Sequence, residues 1–262
     1  MSNYNILGYD IKVLQNEMLK IMSAIDKVCR ENDIHYILDG GTMLGAVRHQ
    51  GFIPWDDDAD LIMLRDDYEK FIKIANTNLP PEFRFECLEN TKNYPYNFGK
   101  VRAVYTVFRE KFTGNIKGIN HGIYIDIFPM DYVDEKDFVK HAKWASHFAR
   151  FRYDKLGLRG IKNKMIAMLI PLKFINKMAA KNMKYHYLKG DKVCKLCHYG
   201  PNKPIIDKTL FTDVIEVPFE GKMFFIPKEY DNFLRGRYGD YMQLPPPEKQ
   251  KPCHNVSEIK IP

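Results

Sequence analysis

The apolar positions of the chain follow two rhythms. Ile11, Leu14, Met18, Ile21, Met22, Ile25 and Val28 recur at intervals of three and four, which predicts an amphipathic helix over residues 10–32. Shorter apolar runs come next. His35 to Leu38 predicts a strand, Asp39 to Thr42 a turn with a helix N-cap, and Met43 to His49 a short helix. A second strand is expected over Ala59 to Leu64, and a helix from Asp66 to Ala75. Arg84 to Leu88, Lys100 to Arg109 and Gly122 to Phe128 read as further strands, the last ended by Pro129. From Asp134 the rhythm turns helical through Ala149, and again over Lys162 to Leu188, where Pro171 should kink or split the helix. Val214 to Phe219 and Met223 to Ile226 form a hairpin pattern around Glu220-Gly221-Lys222, followed by a helix over Lys228 to Tyr238. The expected architecture is α+β: a mixed catalytic half over residues 1–133, and a mostly helical half over 134–262 packed on it and facing the acceptor.

Composition narrows the class. With 262 residues, 45% apolar and 28% charged, the chain is long enough to bury a full core and is not wholly disordered. No apolar run is long enough to span a bilayer, and the N-terminus lacks the pattern of a cleaved signal. Five cysteines (Cys29, Cys87, Cys194, Cys197, Cys253) are an odd, sparse set, which suggests a reducing, cytoplasmic setting. The net charge of +7 is unevenly spread. Arg150 to Gly190 holds eleven Lys/Arg and one acid, Asp154, while the rest of the chain has 29 basic and 32 acidic residues. One basic element on a near-neutral body does not suit a general nucleic-acid binder.

The candidate chemistry sits in Trp55-Asp56-Asp57-Asp58-Ala59-Asp60. Carboxylates this dense repel one another unless solvent or a cation compensates. On a strand, Asp58 and Asp60 share a face, a natural seat for Mg²⁺ (or Mn²⁺), with Asp56 as a further ligand and Asp57 turned away. A bare Asp-x-Asp is more often a solvated turn. Here a strand–Gly40-Gly41–helix unit lies upstream, and glycines before a helix N-terminus suit a phosphate. This is the layout of the polymerase-β-like nucleotidyltransferases. Asp126, a single acid in the apolar strand Ile123 to Phe128, is the candidate third carboxylate.

The block Leu38-Asp39-Gly40-Gly41-Thr42-Met43-Leu44-Gly45-Ala46-Val47-Arg48-His49-Gln50-Gly51-Phe52-Ile53-Pro54-Trp55-Asp56-Asp57-Asp58-Ala59-Asp60 closely resembles the signature of the LicD family of phosphotransferases. Gly99 to Arg102, Gly122 to Pro129 and Tyr238 to Pro246 fit the same family in order. Two positions depart: Ala59 replaces a larger aliphatic residue, and Cys253-His254 stands where members often carry a His-His pair. The resemblance implies a nucleotidyltransferase-like fold. It also implies transfer of phosphocholine, or a related phospho-alcohol, from a CDP-linked donor such as CDP-choline. The acceptor would be a sugar hydroxyl of a cell-surface glycan: teichoic acid, lipopolysaccharide or capsule. In this reading Asp58, Asp60 and Asp126 are catalytic and hold the metal. Gly40, Gly41 and Thr42 cradle phosphate, and Arg48, Lys100 and Arg102 are phosphate clamps. Trp55 lies at the substrate or packs under the metal loop. Trp55, Tyr94, Tyr96, Phe98 and Tyr124 are candidates for a choline cage, although a core role suits any single one better, and His49 is structural or a loop contact rather than the general base. A nucleotidyltransferase or a nucleotide-sugar glycosyltransferase would use the same carboxylates.

Two motifs stand outside this reading. Cys194-Lys195-Leu196-Cys197-His198 invites a zinc site with Cys253-His254, although free thiols suit the unpaired spacing better. Lys173, Lys177, Lys181 and Lys184 form a helical stripe beside an apolar side. That stripe fits an ordinary surface helix, or a peripheral contact of residues 150–190 with anionic lipid on the inner face of the cell membrane, near a lipid-linked acceptor.

Overall fold

A computed structural model of the chain describes residues 4–158, 169–197 and 204–262. A short hairpin, β1 (Asn5–Ile6) and β2 (Tyr9–Asp10), leads into α1 (Ile11–Glu31), capped by the Asp10 carboxylate on the Lys12 N–H. All seven apolar positions of the expected stripe are buried along α1. The helix packs across the sheet and holds the acidic loop from below: Gln15 Nε2 donates to the carbonyls of Ile53 (3.1 Å) and Asp56 (3.0 Å).

The central strands are β3 (Ile37–Leu38), β4 (Asp60–Leu64), β6 (Gly99–Ala103) and β8 (Tyr124–Tyr132). β3 runs antiparallel to β4, β4 parallel to β8, and β6 antiparallel to β8. The sheet is therefore mixed. The edge strand β5 (Phe83–Glu86) pairs with β6. Between β3 and β4 lies α2 (Gly40–His49), and after β4 comes α3 (Arg65–Asn78).

Two strands depart from the expected bounds. The run Lys100 to Arg109 is broken by a turn in which Thr106 donates from N (3.2 Å) and Oγ1 (2.8 Å) to the Ala103 carbonyl. Val107–Glu110 is then a separate strand, β7. In contrast, β8 continues through Pro129 instead of stopping at it. Along one edge of β8, β6 pairs as far as Ile127, while β9 (Lys192–Cys194) begins opposite Asp131. Pro129 falls in the gap between these partners, where that edge needs no N–H donor.

The sheet and the core both cross residue 133. β9 and β10 (Ile206–Asp207) extend the sheet beyond β8. The hairpin β11 (Val214–Phe219) and β12 (Lys222–Pro227) turns on Glu220 and Gly221, both at positive φ, as its sequence pattern predicts. The final strand β13 (Val256–Lys260) pairs with β7. One apolar cluster runs from Ile6 to Ile259. The described residues of 134–262 thus carry five strands beside α4 (Phe138–Lys155), α5 (Leu172–Met183) and α6 (Tyr230–Tyr238), and the expected mostly helical half is mixed there. Pro171 sits at the N-cap of α5, as a helix-splitting proline should; residues 162–168 of that expected helix lie outside the described residues.

Candidate active site

The parallel register of β4 and β8 sets Asp60 directly beside Asp126, and the antiparallel register of β6 sets Lys100 on the other side of Asp126. Three charged side chains therefore stand in a row across three strands. Lys100 Nζ lies 2.6 Å from Asp126 Oδ1, and both side chains are nearly inaccessible. The Lys100 ammonium also sits 3.3 Å from the centroid of Tyr124, 4.8 Å from Tyr96 and 5.5 Å from Phe98. The aromatic box expected around a choline headgroup is thus filled by the chain's own cation.

Asp39, the N-cap residue of α2, is buried below the Gly-Gly pair. It forms ion pairs with Lys195 and with Arg237, the latter at 3.1 Å. Burial opposes its charge, but the two cations outweigh it and hold the carboxyl below its ordinary range. Gly40 takes φ +54°, and a Cβ there would meet Asp60 Oδ2 at 3.4 Å. At Gly41 a Cβ would lie 2.7 Å from Asp56 Oδ2, so the glycine lets α2 approach the acidic loop. Thr42 Oγ1 accepts from the Asp60 N–H at 2.9 Å and ties that helix to the strand carrying Asp60.

Asp57 does not face away. Its carboxylate is buried and accepts the N–H groups of Cys253 (3.2 Å) and His254 (2.9 Å). His254 Nδ1 lies 3.0 Å from Asp57 Oδ1, and Nε2 lies 4.0 Å from Asp58 Oδ2. Burial disfavours charge on this ring. Hydrogen bonds to Asp57 and Cys253, with the Asp58 charge, nevertheless push it up to about 12, so Nδ1 donates to Asp57. Asp57, Asp58, Cys253 and His254 bring one ligand-type atom each within 4.8 Å of one another. Cys194 and Cys197 are buried and stand outside this group, with Cys197 Sγ 3.7 Å from the Pro129 carbonyl, and both are free thiols, the reading that the spacing favoured. His198 lies outside the described residues.

The remaining carboxyls strain against each other. Burial, then the charges of Asp57 and Asp60, push Asp56 up to about 7 despite its hydrogen bond to Asp58. Burial and Asp56 push Asp58 up to about 8. Asp60 and Asp126 are also raised, in each case first by burial. A hard divalent cation with an all-oxygen preference fits this donor set, because Lys100 neutralises only one member of it. Beside the row opens a cavity of about 870 Å³. Asp39, Asp60, Lys195 and Arg237 line its polar side, and Phe128 and Phe233 contribute to its apolar side.

Two of the three expected clamps, Arg102 and Arg48, lie elsewhere, and Trp55 packs away from the row. Arg102 is buried against Glu86 (3.3 Å) and donates to the Gly122 carbonyl, neither a solvated strand end nor open to a phosphate. Arg48 donates to the carbonyls of Tyr241 (2.7 Å) and Gln243 (3.2 Å), holding the tail. Trp55 packs against Tyr4 and His49. The cations at the cavity, Lys195 and Arg237, escaped sequence reasoning. Lys195 stood inside a cysteine motif, and Arg237 stood one residue before the Tyr238 block.

Known proteins share much of this sequence. Residues 33–179 match the family described as LicD/FKTN/FKRP, nucleotidyltransferase domain. The chain is 31% identical over 258 residues to the lipopolysaccharide cholinephosphotransferase LicD of Haemophilus influenzae, covering 93% of this chain and 95% of that protein. An uncharacterised protein of Rickettsia prowazekii is 34% identical over 128 residues, 47% of this chain and 42% of its own length. The segment matched by the family contains Asp39, the acidic loop, Lys100 and Asp126. The chain belongs to the LicD/FKTN/FKRP family.

Proposed function

We propose that this LicD-family phosphotransferase moves phosphocholine, or a closely related phospho-alcohol, from a CDP-linked donor to a sugar hydroxyl of a cell-surface glycan. The observation that carries the reading is the row Asp60–Asp126–Lys100, with Asp58 at its head and a cavity holding two cations beside it. The Haemophilus relative, named for phosphocholine transfer to lipopolysaccharide, supports this choice of group and acceptor. We read the mixed sheet and its Gly-Gly helix entry as a polymerase-β-like nucleotidyltransferase core.

Asp58, Asp60 and Asp126 would hold Mg²⁺, with Asp56 beside them; when bound, the metal neutralises charge on the donor phosphates and the leaving group. Lys195 and Arg237 face the same cavity and suit the nucleotide end of the donor. The acceptor hydroxyl oxygen attacks the phosphorus that carries the alcohol. The bond from that phosphorus to the CMP oxygen breaks, CMP leaves, and the hydroxyl proton passes to Asp126. Lys100 holds the Asp126 carboxylate in place through the 2.6 Å contact. We place the reaction in the cytoplasm, where the five free thiols stay reduced.

Phosphorus NMR of the protein with CDP-choline and Mg²⁺ tests the reading. Metal-dependent CMP release is expected, lost with EDTA and in Asp58→Ala and Asp126→Ala. Turnover retained in both variants would overturn the site assignment. A product that keeps the nucleoside monophosphate would instead identify a nucleotidyltransferase.

A further inference from the structure

The positive charge of the molecule is concentrated on one helix pair that the proposed reaction does not use. α4 and α5 carry eight Lys/Arg and one acid, Asp154, a local +7 equal to the net charge of the whole chain. The remaining residues hold 32 basic and 32 acidic side chains. The helices pack side by side. His141 stacks on Tyr185 and meets Asn182 at 2.8 Å, and Arg152 reaches Asn176 at 2.9 Å. Phe138, Ala142, Ala145 and Ala149 of α4 and Ile175, Ala179 and Met183 of α5 are buried, which turns the other faces outward.

Those outer faces mix two chemistries. Lys140, Lys143, Arg150, Lys173, Lys177 and Lys181 are exposed, and no exposed acid lies on either helix. The nearest acids in sequence, Glu135 and Asp137, precede the first turn of α4. Lys184 leaves the stripe, drawn 2.5 Å from Glu69. Among the cations stand apolar side chains that a soluble protein gains nothing by exposing: Val139 (46%), Trp144 (48%), Phe174 (56%) and, just before α5, Leu169 (83%). Trp144 stacks on Phe148 with centroids 5.7 Å apart, which stiffens it as a projecting ring.

We infer that the outer face of the α4–α5 pair is a docking surface for an anionic lipid bilayer. The cations match a negatively charged headgroup layer, and the tryptophan and phenylalanine suit the boundary just beneath it. A soluble polyanion would be served by the lysines alone and leaves the apolar side chains without a role. No helix among the described residues is long and apolar enough to cross a membrane, so the contact is peripheral. The surface would hold the enzyme where a lipid-linked acceptor is found. The inference does not depend on the donor or on the carboxylate site.

The test is flotation of the full chain with vesicles of phosphatidylglycerol and phosphatidylcholine, against pure phosphatidylcholine, at low and high salt. Binding to the anionic vesicles alone, weakened by salt, is the expected result. Each surface lysine contributes roughly five-fold to partitioning, so Lys173→Gln/Lys177→Gln/Lys181→Gln should weaken binding by about a hundred-fold. Trp55 and Trp144 are the two tryptophans of the chain. In a Trp55→Phe background, brominated lipid should therefore quench the fluorescence of Trp144. Absence of binding to anionic vesicles at low salt overturns the inference. So does binding that survives the triple substitution, or that leaves Trp144 unquenched.

Discussion

At the scale of single residues, the acidic loop concentrates buried carboxyls that the proposed cation would relieve. Asp56 and Asp58 are pushed up to about 7 and about 8 by burial first and then by neighbouring carboxylates, Asp57 and Asp60 for the former and Asp56 for the latter. Their folded values lie above the unfolded ones, so the metal-free protein loses their contribution as pH rises from about 4 towards about 8. The proposed divalent cation would reverse that loss. The gap in Tm between Mg²⁺ and EDTA should therefore widen as pH rises from about 6 to about 8, measured by thermal melts across that range. Gly41→Ala should narrow the gap, since its Cβ would push into Asp56 Oδ2. Asp39 behaves in the opposite sense. Its folded value is lowered by Lys195 and Arg237, so its contribution is present above the unfolded value and lost as pH falls through the folded one. Asp39→Asn should cost at most about 3 kcal/mol near neutral pH and much less in acid, read by urea melts at both. An equal loss at both pH values would show that Asp39 acts through hydrogen bonding alone.

At the scale of elements, the site is assembled by strand register and by two clasps. One clasp is Arg65 on Asp131 (2.7 Å), which joins α3 to β8 where both groups are fully buried. Arg65→Met would strand the Asp131 carboxylate and should destabilise the chain by about 3–5 kcal/mol; a loss below about 1 kcal/mol in denaturant melts would refute that role. The other clasp is Asp57 on the Cys253-His254 segment. Asp57→Asn should leave the central sheet protected but speed amide exchange across Val256–Lys260, the strand that this contact delivers to β7. Unchanged exchange there would mean that β13 is held by its ladder alone.

At the scale of the whole molecule, the strands that carry Asp60, Lys100 and Asp126 share their sheet and core with the C-terminal half of the chain. The end of β8, Asp131 and Tyr132, pairs with β9, and one core draws residues from both sides of position 133. A fragment of residues 1–133 should therefore fail to fold cooperatively, which circular dichroism and heat capacity measurements would reveal. A cooperative transition in that fragment would show an independent unit after all. The same continuity explains why cations from residues 195 and 237 face a carboxylate at residue 39.

Local pattern alone determined the helix α1, the strand Asp60–Leu64 (though not the place of Asp58, which lies in the loop before it), the hairpin turning on Glu220-Gly221 and the candidacy of Asp126. Each depends on periodicity or on an acid in an apolar strand, and these are properties of neighbours in the chain. The long block from Leu38 to Asp60 was legible for the same reason, since its chemistry is contiguous. Tertiary structure alone decided that Asp57 faces inward to the tail, that Lys100 fills the aromatic box, and that Arg48 and Arg102 are held elsewhere. It also brought Lys195 and Arg237 to the cavity. The periodicity of a strand says which side chains share a face, but not what covers that face. The covering residues came from up to about two hundred positions away, where no local spacing records the contact.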